Sequence, residues 1–159
     1  LVLVLNVGTV KIELNPEIAP RHVAQITQLV EQKSYDGITF HRVIDGFMAQ
    51  VGDIKHGHFE DFNSYAVGTG GSNLPNIPAE FNPTPHLRGT VSMARSQDPN
   101  SANSQFFICL ADAKFLDGQY TAFGQVTEGM EVVDKIKKGT DQSGSVSDPD
   151  YIERAYIEK

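Results

Sequence analysis

The sequence predicts a mainly β domain: a closed antiparallel barrel of about eight short strands, with two helices. Strand-like runs outnumber helical ones along the chain. They do not alternate with helices, as a parallel α/β sheet would require. Long loops separate them.

Each element has its own local signal. "LVLVL" (1–5) and "TVKIEL" (9–14) are strand-like, and Asn6, Val7 and Gly8 between them predict a tight hairpin. In the second run Val10, Ile12 and Leu14 alternate, so one face turns inward. "APRHVAQITQLVEQKSYDG" is the best helix: Val23, Ile26, Leu29 and Val30 share a face, and Pro20 suits a first turn. "ITFHRVI" and "GFMAQVGD" are strands joined by a turn at Asp45-Gly46. Residues 54–88 hold much of the Gly, Pro, Asn and His and are expected to form long, ordered surface loops. Strands follow at "GTVSMA", "QFFICL", "TAFGQV" and "YIERAYIE". "AKFLDGQY" is a turn. "EGMEVVDKIKK" is a short helix with Met130, Val133 and Ile136 at helical spacing. No repeat or linker divides the 159 residues, which fit one domain over 1–159.

Composition excludes several classes of function. A formal net charge of −7 argues against nucleic acid or an anionic membrane surface as the main partner, since both reward excess Lys and Arg. No apolar run exceeds six residues, too short for a membrane span. The single cysteine, Cys109 in "QFFICL", allows no internal disulfide and is expected to be a buried structural thiol. One cysteine and no visible signal favour the cytoplasm. A leader removed ahead of Leu1 would instead place the protein in the periplasm.

Few residues offer covalent or metal chemistry. "HGH" at 56–58 has no cysteine or zinc-type spacing around it, so no metal is expected. "GTGGSN" lacks the ending and the context of a phosphate loop. Ser92, Ser96 and Ser104 sit in no nucleophile elbow, and no triad is expected. His41 is expected to be a core histidine with a satisfied hydrogen bond, pointing away from Arg42. What stands out is an arginine inside the apolar stretch "FHRVIDGFMAQVGD". Burying that permanent charge unpaired would be costly, so Arg42 is expected to face a cleft. Alternation would place Phe40 and Ile44 on its side. Phe47, Met48, Phe106, Phe107, Phe115, Leu116 and Tyr120 are expected to gather around Arg42, Gln50 and Gln105. Within "QFFI", Gln105 and Phe107 share one face while Phe106 and Ile108 share the other.

Together "FHRVIDGFMAQVGD", "GTGG", "GTVSMA", "NSQFFI" and "FLDGQYTAFGQV" resemble the cyclophilins, peptidyl-prolyl cis–trans isomerases. The resemblance spans nearly the whole chain, in the family's order and approximate spacing. It implies an eight-stranded antiparallel barrel capped by two helices, with the active site on its outer face. Arg42 then matches the catalytic arginine. Phe47, Met48, Phe107 and Leu116 match the wall of a proline pocket. Gln50 and Gln105 match residues that hold Arg42 and the substrate backbone. Ala94 and Arg95 match a strip that pairs with the substrate main chain, and Gly68 lies at the pocket's edge.

The chain departs from the best-known eukaryotic pattern in several places. Phe115 stands where those members carry tryptophan, Tyr120 where they carry histidine, and Arg95 where they carry asparagine. The resemblance implies that Phe115 weakens binding of a cyclosporin-type ligand and leaves isomerase activity intact. The loop from Ile54 to Val67 and the "SQDPNSANSQ" segment look more like the bacterial branch. The implied partners are proline-containing polypeptides, with no cofactor, and a monomer is expected. Two rivals stand beside this function: a proline-binding module with little turnover, and a hydrolase or metal enzyme built on the histidines.

Overall fold

The computed structural model describes residues 1–62 and 65–158. Eight strands form one antiparallel sheet: β1 (Val2–Leu5), β2 (Gly8–Leu14), β3 (Arg42–Ile44), β4 (Met48–Val51), β5 (Thr90–Met93), β6 (Phe106–Cys109), β7 (Ala122–Glu128) and β8 (Ile152–Tyr156). Their order across the sheet is β3-β4-β6-β5-β7-β2-β1-β8. Two helices accompany it, α1 (Pro20–Glu31) and α2 (Met130–Lys135). Every strand and helix expected from the sequence is present. Between residues 54 and 88, the only regular element among the described residues is one 3₁₀ turn, Phe59–Asp61.

The hairpins follow from turn chemistry. Leu5 pairs with Gly8 across the two-residue turn Asn6-Val7. Ile44 pairs with Met48, and Gly46 between them takes φ +74°, a conformation that favours glycine. Register shifts at Val4/Leu5, Lys11/Ile12 and Val91/Ser92 mark irregularities where strands bend, and such bends help the sheet curl.

The curl does not close into a continuous barrel, which corrects the expected closed form. β3 and β8 are the two sheet edges and share no ladder. Isolated bridges span the gap instead, Thr39 to Tyr151 and Arg42 to Ser145. Backbone bonds reinforce them: Phe40 N–H donates to Asp150 O at 2.8 Å, and Val43 N–H to Gly144 O at 2.8 Å. The segment facing β3 cannot form a full strand. Gly144 sits at φ +78°, and Pro149 has no N–H to give.

The concave side of the curled sheet holds the main core. Leu3, Val10, Ile12, Phe40, Val43, Phe106, Ile108 and Phe123 are buried there. The helix α1 buries Val23, Ile26, Leu29 and Val30, the expected face, together with His22. No side chain at Ala19 caps this helix. Glu80, far away in sequence, does so. Its carboxylate accepts from Arg21 N at 3.2 Å and His22 N at 2.9 Å, and meets His22 Nδ1 at 2.6 Å. Replacing Glu80 by alanine removes the cap and strips a buried histidine of its partner. The E80A variant should lose about 1–3 kcal/mol of stability in chemical denaturation. A loss under about 0.5 kcal/mol would show that the cap contributes little.

Candidate active site

A second apolar cluster lies on the other face of the sheet. Strand alternation makes it: Phe106 and Ile108 enter the main core, while Phe107 and Cys109 point outward. Met48 of β4 and Leu116 of the 3₁₀ turn Lys114–Leu116 join them, with Ile44, Phe47, Ala94 and Tyr120 packed at the margin. Phe47 and Phe115 approach with ring centroids 5.5 Å apart, and Phe107 meets Tyr120 edge-on at 5.8 Å. Phe115 is 71% exposed, so it forms an open rim and not a floor.

This cluster walls a cleft of about 250 Å³ lined by Arg42, Phe47, Met48, Gln50, Ala94, Arg95, Phe107, Phe115, Leu116 and Tyr120. A second cleft of about 360 Å³ shares Gln50, Ala94 and Arg95 with it, and adds Gly68 and Gln105. Every site residue expected from the sequence therefore lies in one of two adjoining clefts. Two expectations about faces are corrected. Phe106 belongs to the core. So does Phe40, because the chain at Phe40 and His41 is not yet in the β3 ladder and strict alternation does not hold through it.

Arg42 is exposed at the edge of the apolar cleft. Its Nη1 donates to Gln50 Oε1 at 3.3 Å, and its Nε to the Ser143 carbonyl at 2.9 Å. Among the described residues it has no carboxylate partner, and its Nη2 makes no hydrogen bond. Its geometry continues inward through a relay. Gln50 Nε2 donates to Gln105 Oε1 at 2.9 Å. Gln105 Nε2 donates to the Gly68 and Gly70 carbonyls at 3.0 and 2.8 Å. Those glycines are fixed by Asp53, which is fully buried and accepts from Gly68 N and Gly70 N at 2.7 and 3.0 Å. Its other oxygen accepts from Lys55 N and His56 N. Sequence inspection missed Asp53. Its only signal is a carboxylate ending the apolar strand in "QVGD".

Arg95 is committed elsewhere. Its Nε and Nη2 donate to the Gln119 carbonyl, and its guanidinium lies 4.5 Å above the Tyr120 ring. It braces the rim. Ser101, Asn103 and Thr69 in the second cleft were also missed. Asn103 ties its walls together by accepting from Ser72 N and donating to Leu74 O.

One serine does join a triad-like chain, which sequence inspection did not foresee. His86 Nδ1 meets Asp117 Oδ1 at 3.0 Å and its Nε2 meets Ser92 Oγ at 2.8 Å. His86 also stacks against Phe107, at 6.3 Å between centroids. Ser92 has no exposed surface, so no substrate reaches its hydroxyl. The chain is a brace behind the apolar wall. Cys109 is buried as expected, and burial pushes its thiol up to about 12. Of the "HGH" pair, His58 caps the 3₁₀ turn by accepting from Glu60 N at 3.1 Å.

The geometry agrees with the comparisons to known proteins. The protein-family model for cyclophilin type peptidyl-prolyl cis-trans isomerases matches residues 1–157. The chain belongs to that family. It is 57% identical over 159 residues to a probable peptidyl-prolyl cis-trans isomerase of Brucella suis biovar 1, covering 99% of this chain and 81% of the relative. A Synechococcus elongatus isomerase is 42% identical over 134 residues, 83% of this chain and 84% of its own. Among solved structures, the cyclophilin AquaCyp293 from Hirschia baltica superposes with a TM-score of 0.80 at 31% identity, over 97% of this chain and 71% of that one. A Cryptosporidium parvum cyclophilin type isomerase, crystallised in the presence of the dipeptide Ala-Pro, reaches 0.84 at 28% identity, over 99% and 98% of the two chains. At these scores the cyclophilin neighbours share the overall fold described above. No helix among the described residues is long and apolar enough to cross a membrane.

His41 corrects one expectation within this isomerase fold. It is buried, but its Nδ1 has no hydrogen-bond partner. Desolvation pushes its pKa down to about 4 against the pull of Asp53 and of the Thr39 main chain, with Arg42 adding a smaller push downward. An unfolded chain takes up that proton near 6.5. Between pH 6.5 and about 4 the unfolded state therefore binds the extra proton, and stability falls as the solution is acidified. The full effect is roughly 3 kcal/mol, flat again below the folded pKa. Denaturation midpoints of wild type and H41F should diverge across this window, the variant losing less on acidification. Parallel pH profiles would contradict the assignment.

Proposed function

We propose that the 250 Å³ cleft takes the proline ring of an X-Pro segment, and that Arg42 donates to the proline nitrogen as the bond twists. The observation that carries this is a guanidinium at the edge of an apolar cleft with an uncommitted Nη2, held only by neutral oxygens. The amide barrier is roughly 18–20 kcal/mol because of partial double-bond character. In the planar state the nitrogen lone pair is delocalised into the carbonyl. In the twisted state it returns to nitrogen, where an N–H donor stabilises it. An interaction made only in the twisted state lowers the barrier without tightening the ground state. Arginine stays protonated throughout and offers a rigid fork of donors.

Phe47, Met48, Phe107 and Leu116 would hold the ring still while the preceding residue rotates. Ala94 and Arg95 lie just past β5; Ala94 N–H makes the last rung, to Gln105 O at 3.0 Å, and Arg95 follows it. They are suited to pairing with the substrate main chain beside Gln105 and Gly68. A rate gain of about 10⁵ asks for roughly 7 kcal/mol of differential stabilisation, within reach of one charged donor and a fitted apolar wall. No bond is made or broken, so no nucleophile, metal or cofactor takes part. Proline-containing polypeptides are the proposed substrates, the ligand class of the dipeptide in the Cryptosporidium crystal.

Exchange of a short Ala-Pro peptide, followed by NMR, tests the assignment. R42A should cut kcat by about 100-fold or more with an unchanged circular dichroism spectrum. Near-normal exchange in that variant would remove Arg42 from the mechanism. If wild type bound the peptide without accelerating exchange, the cleft would serve binding alone.

The exposed Phe115 lacks the indole N–H that tryptophan would present to a cyclosporin-type ligand. F115W should tighten such a ligand by about tenfold, the worth of one added hydrogen bond, with isomerase activity little changed. Calorimetric titration of both proteins checks it, and equal affinities would sink the hydrogen-bond explanation.

A further inference from the structure

The segment Gly139–Val146, between α2 and β8, lies beside Arg42 and has no strand or helix of its own. It is nonetheless anchored to β3 along its length. Gly139 N–H donates to Val43 O at 2.9 Å, Val43 N–H to Gly144 O at 2.8 Å, and Val146 N–H to His41 O at 3.1 Å. Arg42 is thus flanked on both sides by main-chain bonds to this one loop. The loop's interior is organised by Asp141. Its Oδ1 accepts from Ser143 N at 2.9 Å and from the Ser143 hydroxyl, in a turn that closes through Gly144 N–H to Asp141 O at 3.2 Å. The Ser143 bonds, foremost among them the hydroxyl's, hold the Asp141 carboxyl below its ordinary range. It therefore remains an acceptor at neutral pH. The Ser143 carbonyl that this turn presents is the one that takes Arg42 Nε.

We propose that Asp141 is a positioning residue for the isomerase reaction: it sets the Ser143 turn, and that turn's carbonyl aims the Arg42 guanidinium across the cleft. The second hold on Arg42, from Gln50, is longer at 3.3 Å and comes from a side chain that can rotate. The Ser143 carbonyl belongs to the main chain, and it is as rigid as the turn that carries it. With Nε fixed, the guanidinium plane has one orientation and Nη2 points in one direction. Gly144 shows how tight the fit is. At φ +78°, a Cβ there would lie 2.5 Å from Ile44 Cγ1 and 3.3 Å from Arg42 Cγ. Asp141 itself is exposed and outside the core, so its replacement leaves the packing of the sheet intact.

The inference rests on Arg42 acting as the proposed donor, and the test separates the two claims. NMR exchange with an Ala-Pro peptide gives kcat and KM, and the Arg42 Nε–H resonance reports the clamp directly. In D141A, kcat should fall by about tenfold with KM within about twofold, and Nε–H should exchange faster with solvent. D141N keeps an oxygen acceptor for Ser143 and should restore both readouts. G144A should lower kcat in the same way by forcing the turn away from Ile44, and with it the Ser143 carbonyl that holds Arg42. An unchanged Nε–H and an unchanged kcat in D141A would overturn the positioning role. So would equal losses in D141A and D141N, which would point to the charge and not the turn. A faster Nε–H with unchanged kcat would uphold the clamp and overturn its role in positioning, while the donor role of Arg42 is decided separately by R42A.

Discussion

The site depends on keeping one permanent charge fixed in space without neutralising it. A carboxylate about 4 Å from Arg42 would hold it with about 4 kcal/mol at a surface-like dielectric. That interaction would compete with a weak acceptor such as a twisted proline nitrogen. The protein uses neutral oxygens instead, the Gln50 amide and the Ser143 carbonyl, each adding about 1.5 kcal/mol net as an exposed bond from a charged donor. Direction is supplied without satisfying the charge. Exposure at the cleft edge keeps the cost of the unpaired guanidinium low, and the apolar wall beside it keeps the local field strong.

Neutral holds are weak one by one, so their rigidity has to come from further back. Behind Gln50 lie Gln105 and then the carbonyls of Gly68 and Gly70, ending on the buried carboxylate of Asp53. Asp53 tolerates full burial because four main-chain N–H groups converge on its two oxygens. Here the large electrostatic term is spent on ordering a loop, two side chains removed from the chemistry. On the other side of Arg42 the seam between β3 and β8 has the same purpose. A continuous ladder would have left no room for a turn whose carbonyl can reach a side chain. The break at Gly144 and Pro149 supplies one.

What the sequence made legible follows from period and local chemistry. Alternation in "QFFI" put Phe107 and Phe106 on opposite faces, and the structure agrees, although it sends Phe106 to the core and not to the cleft where it was expected to gather. Helical spacing found the buried face of α1, and Pro20 marked its start. The cleft residues were legible through the quoted motifs, since spacing alone does not say which strands become neighbours. What stayed hidden is long-range. Glu80 caps a helix some 60 residues before it, Asp53 orders glycines across a loop, and Ser143 reaches Arg42 through its carbonyl, an atom every residue owns. No pattern in the chain advertises such contacts. Phe40 was misplaced for a smaller reason: alternation was extended past the end of a ladder only three residues long.

The Asp117–His86–Ser92 chain shows why function is carried by access as much as by constellation. Its distances are those of a nucleophile poised beside a base. Yet Ser92 is sealed beneath Phe107, and the imidazole's work is to stack on that ring and tie β5 to the turn that carries Leu116. A wall that is to grip a proline ring while the adjoining bond rotates, as proposed, has to resist deformation. Packing alone gives the ring a place, and a buried hydrogen-bonded brace gives it a fixed one. The same three residue types that hydrolyse bonds when open to solvent here brace an apolar wall, because the fold has placed them behind the cleft and not in it.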